Sequence, residues 1–305
     1  LTAAIRNSLM LCGIHAFMLV SVLTPFGLVS WQFLMVPLIA WMVLVPVKVF
    51  VPVYAGLLLL LQLFPGGLGF LLAAVSLLGL PASAVMAWQY RRQAGPYPTV
   101  VAGALSWIGV LLILFVLLFA AGIDLAGMME DMILENPVFG PLAPAVFGSD
   151  EQLRQAVSLL IDAIPMAIIM FAVYQSVLAH WLARKILTRF WRPVPRMKPM
   201  KDWRLPRSLI WYYLVVLLVD LFVPFEAGSL PAVILLNALP LITYAMAVQG
   251  IGFLFFLADA KGWNRALPVA SAVAVVLIAP FVQLAAWLGV VDLAFPIRER
   301  LKPNR

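Results

Sequence analysis

The sequence predicts an all-α protein: a polytopic helical transmembrane bundle of eight or nine helices with a cytoplasmic N-terminus. Three observations carry this. The 305 residues are 65% hydrophobic and 11% charged, more apolar surface than a soluble domain can cover with polar groups. Apolar runs of about 18 to 25 residues recur along the chain, each long enough to cross ~30 Å of hydrocarbon. The runs do not alternate polar and apolar residues, which excludes a transmembrane barrel.

The elements follow in order. Arg6 precedes the first apolar run and no small-residue cleavage site follows it, so this reads as a retained first helix rather than a signal peptide. Punctuation by Pro, Gly and charge gives spans at 8–24, 29–46, 49–64, 68–88, 100–122, 160–183, 207–224, 231–258 and 267–290. The short breaks LVPVKVFVP and LFPGGLG imply tight antiparallel hairpins. Three regions result: N-terminal helices in 1–122, an acidic outer segment in 123–156, and C-terminal helices in 157–305 with a basic loop at 184–207.

Charge sets the orientation. The formal net charge is +7, but nine of the twenty Lys and Arg lie between Arg184 and Arg207, a positive-inside pattern rather than a nucleic-acid surface. Arg192, Arg196, Lys198, Lys201, Arg204 and Arg207 are therefore topology and lipid-contact candidates. Segment 123–156 carries six acids and one Arg, an outer composition. Within it DLAGMMEDMILEN suits a short amphipathic helix, and Ser149 to Gln152 form a capping box. The helix begun there is expected to run to Arg184. The tail FPIRERLKPNR fits poorly: three spans after the basic loop would put its four cations outside, unless the Pro-broken region 267–296 does not cross simply.

Polar groups inside spans are costly and are the first place to look for function. Gln32, Asn237, Tyr244, Gln249 and Gln283 are candidates for an uncharged ligand cavity, with interhelical hydrogen bonding as the alternative reading of each amide. Asp220 lies deepest among the acids, while Asp292 sits near a span end within reach of water. His180 reads as interfacial, and Trp181, Trp203, Trp211, Tyr212 and Tyr213 as interfacial anchors flanking the basic loop. Pro37, Pro240 and Pro280 are expected to bend their helices. Ser8, Cys12 and Ala16 recur every four residues, a strip of small side chains for close helix docking inside this chain or on another protein. A single cysteine and two histidines suggest no disulfide and no metal site. No catalytic motif emerges, so no catalytic residue or cofactor is assigned.

The stretches PFGLVSWQFLMVPLIAWMVLVPVKVFVPVYAGLLLLL, FWRPVPRMKPMKDWRLPRSLIWYYL and QGIGFLFFLADAKGWNR resemble the YybS-like family of bacterial integral membrane proteins, a domain of unknown function. That resemblance implies distant similarity to the substrate-binding S components of energy-coupling-factor (ECF) transporters. Such proteins bind a small ligand from outside and dock on a transmembrane partner through a small-residue strip in helix 1, here Ser8, Cys12 and Ala16. It thus implies a small-molecule-binding or transport subunit of the bacterial cell (inner) membrane. Its partners would be lipids, an ECF-type transmembrane subunit and ATPases, with no nucleic acid. The alternative is a structural or regulatory protein that recruits anionic lipid or a cytoplasmic partner through its basic loop.

Overall fold

The computed structural model describes residues 2–226 and 228–301, and among these the secondary structure is helical with no strand. In order the helices are α1 (Thr2–Ser21), α2 (Gly27–Phe33), α3 (Met35–Leu44), α4 (Val47–Leu61), α5 (Leu68–Arg91) and α6 (Pro96–Ala120). The acidic segment and the residues after it hold α7 (Leu125–Leu134), α8 (Ala143–Phe147) and α9 (Asp150–Asp162). Then come α10 (Ile164–Phe190), α11 (Leu209–Phe222), α12 (Leu230–Lys261), α13 (Ala266–Leu277), α14 (Ala279–Ala294) and α15 (Ile297–Arg300). Among the described residues six helices are long and apolar enough to cross a membrane when α2 and α3 are counted together as Gly27–Leu44, and four shorter apolar helices accompany them. The chain forms two compact units, Leu1–Ile123 with Ile168–Met197 and Asp124–Ala167 with Lys198–Arg305.

In the first unit α3 is the central element, with eight of its ten residues buried. A helix apolar on every side belongs inside a bundle. Met35, Ile39 and Val43 on one face pack with α5, α6 and α10 residues such as Met86, Trp107 and Ala179. Leu38, Trp41 and Val45 on the other pack with α1, α4 and α5 through Leu19, Phe50, Tyr54 and Leu72. The expected bend at Pro37 appears as the α2/α3 break at Leu34: proline cannot donate to the Phe33 carbonyl, four residues back. The basic ends gather. The Arg91 guanidinium donates to the Met42 and Val45 carbonyls at the end of α3, where no intrahelical donor remains, and Arg192 donates to the Arg91 carbonyl at 3.3 Å.

In the second unit the acidic segment forms as its caps dictate. Asp124 accepts from the Gly127 N–H at 3.0 Å to start α7, and Ser149 accepts from the Gln152 N–H at 3.3 Å to start α9. The helix begun at Ser149 does not run unbroken to Arg184. It ends at Asp162 and α10 starts afresh at Ile164, because Pro165 withholds the N–H that would bond the Ile161 carbonyl.

The C-terminal region supplies the main correction. Gly250 of α12 and Gly289 of α14 meet at a crossing where a Cβ on either would collide with a carbonyl oxygen of the other helix, Ala285 or Met246. Beside this crossing Gln249 reaches Asp292, and farther along the chain on both sides Arg298 lies over the Phe253 and Phe256 rings at 5.9 and 5.1 Å. Numbers rise together on both sides, so α12 and α14 run parallel and α13 returns between them. The reversal is at Ile278, extended at φ −133°, just before Pro280. With 12 and 16 residues, α13 and α14 are roughly 18 and 24 Å long, each short of ~30 Å of hydrocarbon. The run 267–290 is a helical hairpin that returns its tail to the end of α12 from which it left. Arg298 and Arg300 therefore lie with Lys201 and Lys261, and the tail's cations need not be outside; Lys302 and Arg305 fall outside the described residues.

Candidate functional site

In the first unit the three helices α1, α3 and α10, with the end of α2, enclose an apolar groove of about 890 Å³. Its walls follow helical spacing: Asn7, Met10, Ile14 and Met18 from α1, then Phe33 of α2 with Val36, Pro37, Ala40 and Leu44. Leu182, Lys185 and Ile186 of α10 complete it, and Phe190 and Trp191 close one end. Residues three and four apart share one helix face, so each helix presents one stripe to the groove. Of the wall residues only Lys185 is charged, and its ammonium rests 3.6 Å from the centre of the Trp181 ring. An apolar cavity of this size with a few polar groups at one end is what a small-molecule site requires.

The neighbouring face of α1 is committed elsewhere. Ser8 is fully buried and accepts from the Trp41 indole N–H at 2.8 Å, while Cys12 and Ala16 pack against the same core. The small-residue strip thus docks α1 onto its own chain. Beside it a buried polar chain links three helices: the His15 Nε2 and Tyr54 hydroxyl each lie 2.8 Å from the Ser76 hydroxyl. His15, Ser76 and Gln175 also bring polar groups to a void of about 10 Å³ whose other walls, among them Trp31, Leu38 and Trp107, are mainly apolar. His180 is buried in the bundle rather than exposed on its surface. It is 2% exposed, and its Nδ1 lies 2.7 Å from the Tyr90 hydroxyl. Position near a basic run suggested an interfacial histidine, but Tyr90 of α5 supplies the partner that allows burial.

In the second unit the polar residues gather around a buried ion pair absent from the sequence-based expectations. Asp292 and Arg298 side chains are 0% and 5% exposed, and the guanidinium meets the carboxylate twice, at 2.7 and 2.6 Å. Arg298 also donates to the Lys201 carbonyl. Gln249 donates to Asp292 and accepts from the Leu205 N–H at 2.9 Å. Asp292, placed near water from sequence, is thus enclosed by the tail that folds over it. The clamp ties the loop before α11 to α12, α14 and α15. Lys201 adds a 2.6 Å pair with Asp259, and Arg204 and Arg207 face Glu299 at 3.8 and 4.0 Å.

The expected amide cavity is not one place. Gln32 belongs to the first unit; Asn237, Tyr244, Gln249 and Gln283 belong to the second. Asn237 serves the α9/α10 break: its side chain accepts from the Met166 N–H and donates to the Asp162 carbonyl, both at 2.7 Å. These are helix-end groups that lack intrahelical partners. Gln283 donates to the Tyr213 hydroxyl at 2.7 Å, so Tyr213 is buried rather than an interfacial anchor, whereas Trp211 and Tyr212 are 70% and 61% exposed. Tyr244 is partly exposed on α12. Of the loop cations, Arg192 stacks on Trp191, and Arg196 and Lys198 are exposed. Asp220, with Asp162, lines a separate cavity of about 330 Å³.

Several apolar helices of span length, whose backbone bonds are made within each helix, define a multi-pass helical membrane protein. The chain belongs to the family described as predicted membrane protein DUF2232, which it matches over residues 14–293. It is also similar to the uncharacterized protein YybS of Bacillus subtilis (strain 168), 30% identical over 138 residues. That alignment covers 45% of this chain and 44% of the relative, so the chain spans less than half the length of the curated relative it matches. No solved structure matches.

Proposed function

We propose that this protein is a small-molecule-binding subunit of the bacterial cell (inner) membrane whose ligand lies in the first unit's groove. The supporting observation is the groove itself: about 890 Å³, three helical apolar stripes and one lysine at one end. Asn237, Gln249 and Gln283 are occupied in helix-end and interhelical bonds, whereas the groove is where a ligand adds contacts without breaking any. If the subunit works in transport, an energising membrane partner and ATPases would have to dock away from Ser8, Cys12 and Ala16, which pack inside the chain. The basic loop supports a recruiting role less well, because Lys201, Arg204 and Arg207 face acids of their own unit.

Native mass spectrometry of the full chain released from lipid tests the reading. The wild type is expected to keep one small apolar-chain molecule, and Ile14→Trp, which fills the groove, to lose it. Equal retention by both would overturn the proposal.

A further inference from the structure

We infer that the groove holds one hydrocarbon chain of an anionic membrane lipid, with the acidic headgroup at the Asn7–Lys185 end. This rests on the reading of the groove as a ligand site and names its ligand class. The first argument is length. From Asn7 to Met18 the groove follows α1 for eleven residues, roughly 16 Å at 1.5 Å per residue. That is about one leaflet, half of a ~30 Å hydrocarbon core. A groove crossing the whole bilayer or buried at its middle would not match a leaflet chain.

The second argument is polarity. Phe33 and Met18 form the deep end, whereas Asn7, Lys185 and Trp191 form the other. That end belongs to the helix termini where the unit's cations collect: Arg6 beside Asn7, Arg189 one turn beyond Lys185, and Arg91 and Arg192 joined through the Arg91 carbonyl. Trp191 and Phe190 stand at the headgroup level that amphipathic and aromatic rings favour. Lys185 is exposed and held over Trp181, so its ammonium is set in place and remains able to meet a phosphate. A neutral apolar molecule would gain nothing from a cation there; a zwitterionic headgroup would bring its own cation to it.

The third argument is wall chemistry. Met10 and Met18 on α1 are unbranched and polarizable, which suits a surface that must follow a flexible chain. Pro37 contributes a backbone without an N–H, so this stretch of α3 presents no unpaired donor to hydrocarbon.

The test uses the full chain in detergent with equimolar phosphatidylglycerol and phosphatidylcholine of identical acyl chains, bound lipids being counted by native mass spectrometry. The wild type is expected to hold one phosphatidylglycerol in preference to phosphatidylcholine. Lys185→Gln should reduce that preference about fivefold, the effect of one cation near a lipid surface. Lys48→Gln, at a cation that is not one of the groove's wall residues, should leave it unchanged. Ile14→Trp should release both lipids with its thermal unfolding kept, and Met10→Trp, at a residue 58% exposed, repeats the test with less risk to folding. One lipid bound without preference, or a preference untouched by Lys185→Gln, overturns the headgroup assignment while the groove reading stands. Displacement of the lipid by glycerol phosphate alone overturns it too, since the headgroup rather than the chain would then be the ligand. Retention unchanged in both tryptophan variants overturns both readings.

Discussion

The Asp292–Arg298 pair allows a stability prediction worked directly from its geometry. In Arg298→Met, Asp292 loses two charge-assisted hydrogen bonds and keeps Gln249, while the Lys201 carbonyl loses its donor and the rings of Phe253 and Phe256 lose a cation. Removing one partner of a buried pair costs about 3–5 kcal/mol, because the other charge is left uncompensated. Helix α15 is a single turn and can open to admit water, so the lower end, about 3 kcal/mol, applies here. Replacing both partners, Asp292→Leu with Arg298→Met, removes the stranded charge and should come within about 1 kcal/mol of wild type. The double-mutant cycle should therefore show a coupling of about 2 kcal/mol or more. Reversible unfolding in mixed micelles supplies the free energies, and tryptic cleavage at Lys201 and Arg204 reports whether the loop has come loose. A single-variant loss below 1 kcal/mol, or a double variant no better than the single, would refute the clamp.

Further predictions concern the crossings and the tail. Gly250→Val should separate α12 from α14 and destabilise by at least the ~1–3 kcal/mol of an overpacked core; a transition unchanged from wild type in thermal unfolding contradicts the close glycine crossing. With Cys12→Ser as background, single cysteines at Lys261 and Arg300 should react with a membrane-impermeant maleimide from the same side, and labelling from opposite sides would rule out the α13–α14 hairpin. His180→Phe should leave the Tyr90 hydroxyl buried without its partner and cost about 1–3 kcal/mol, most of which the added Tyr90→Phe should restore; calorimetry of the two variants decides.

Much of this fold could be read from the chain, and the parts that could not have physical reasons. Apolar length locates the spans because hydrocarbon thickness demands it, and Pro37 and Pro280 mark real breaks because a missing N–H leaves a carbonyl unbonded. Direction is another matter: nothing in 267–290 says whether the chain after Pro280 continues across or turns back, and only the contacts beyond it, Gln249 with Asp292 and then Phe253 and Phe256 with Arg298, decide. Asp292 and Arg298 are six apart, not a helical neighbour spacing, and the bend at Phe295 and Pro296 brings them together. Tyr213 was misplaced because the loop before it lies along α12 as deep as Gln249, so the first turns of α11 start inside the unit. The groove's stripe on α1, Asn7 through Met18, looks in sequence like an ordinary lipid-facing side. Three helices have to meet before it becomes a cavity.

Photo-crosslinking asks most directly whether the groove holds a hydrocarbon chain as a defined ligand. The full chain would be reconstituted with a lipid carrying a diazirine on its acyl chain, illuminated, and its modified peptides mapped. Labels concentrated on Met10, Ile14 and Met18 of α1 and on Leu182 and Ile186 of α10, saturating at one lipid per chain, are the predicted result. Labelling of those residues no stronger than that of the outward-facing Val116, Leu117 and Phe119 on α6, and rising without saturation, would contradict it.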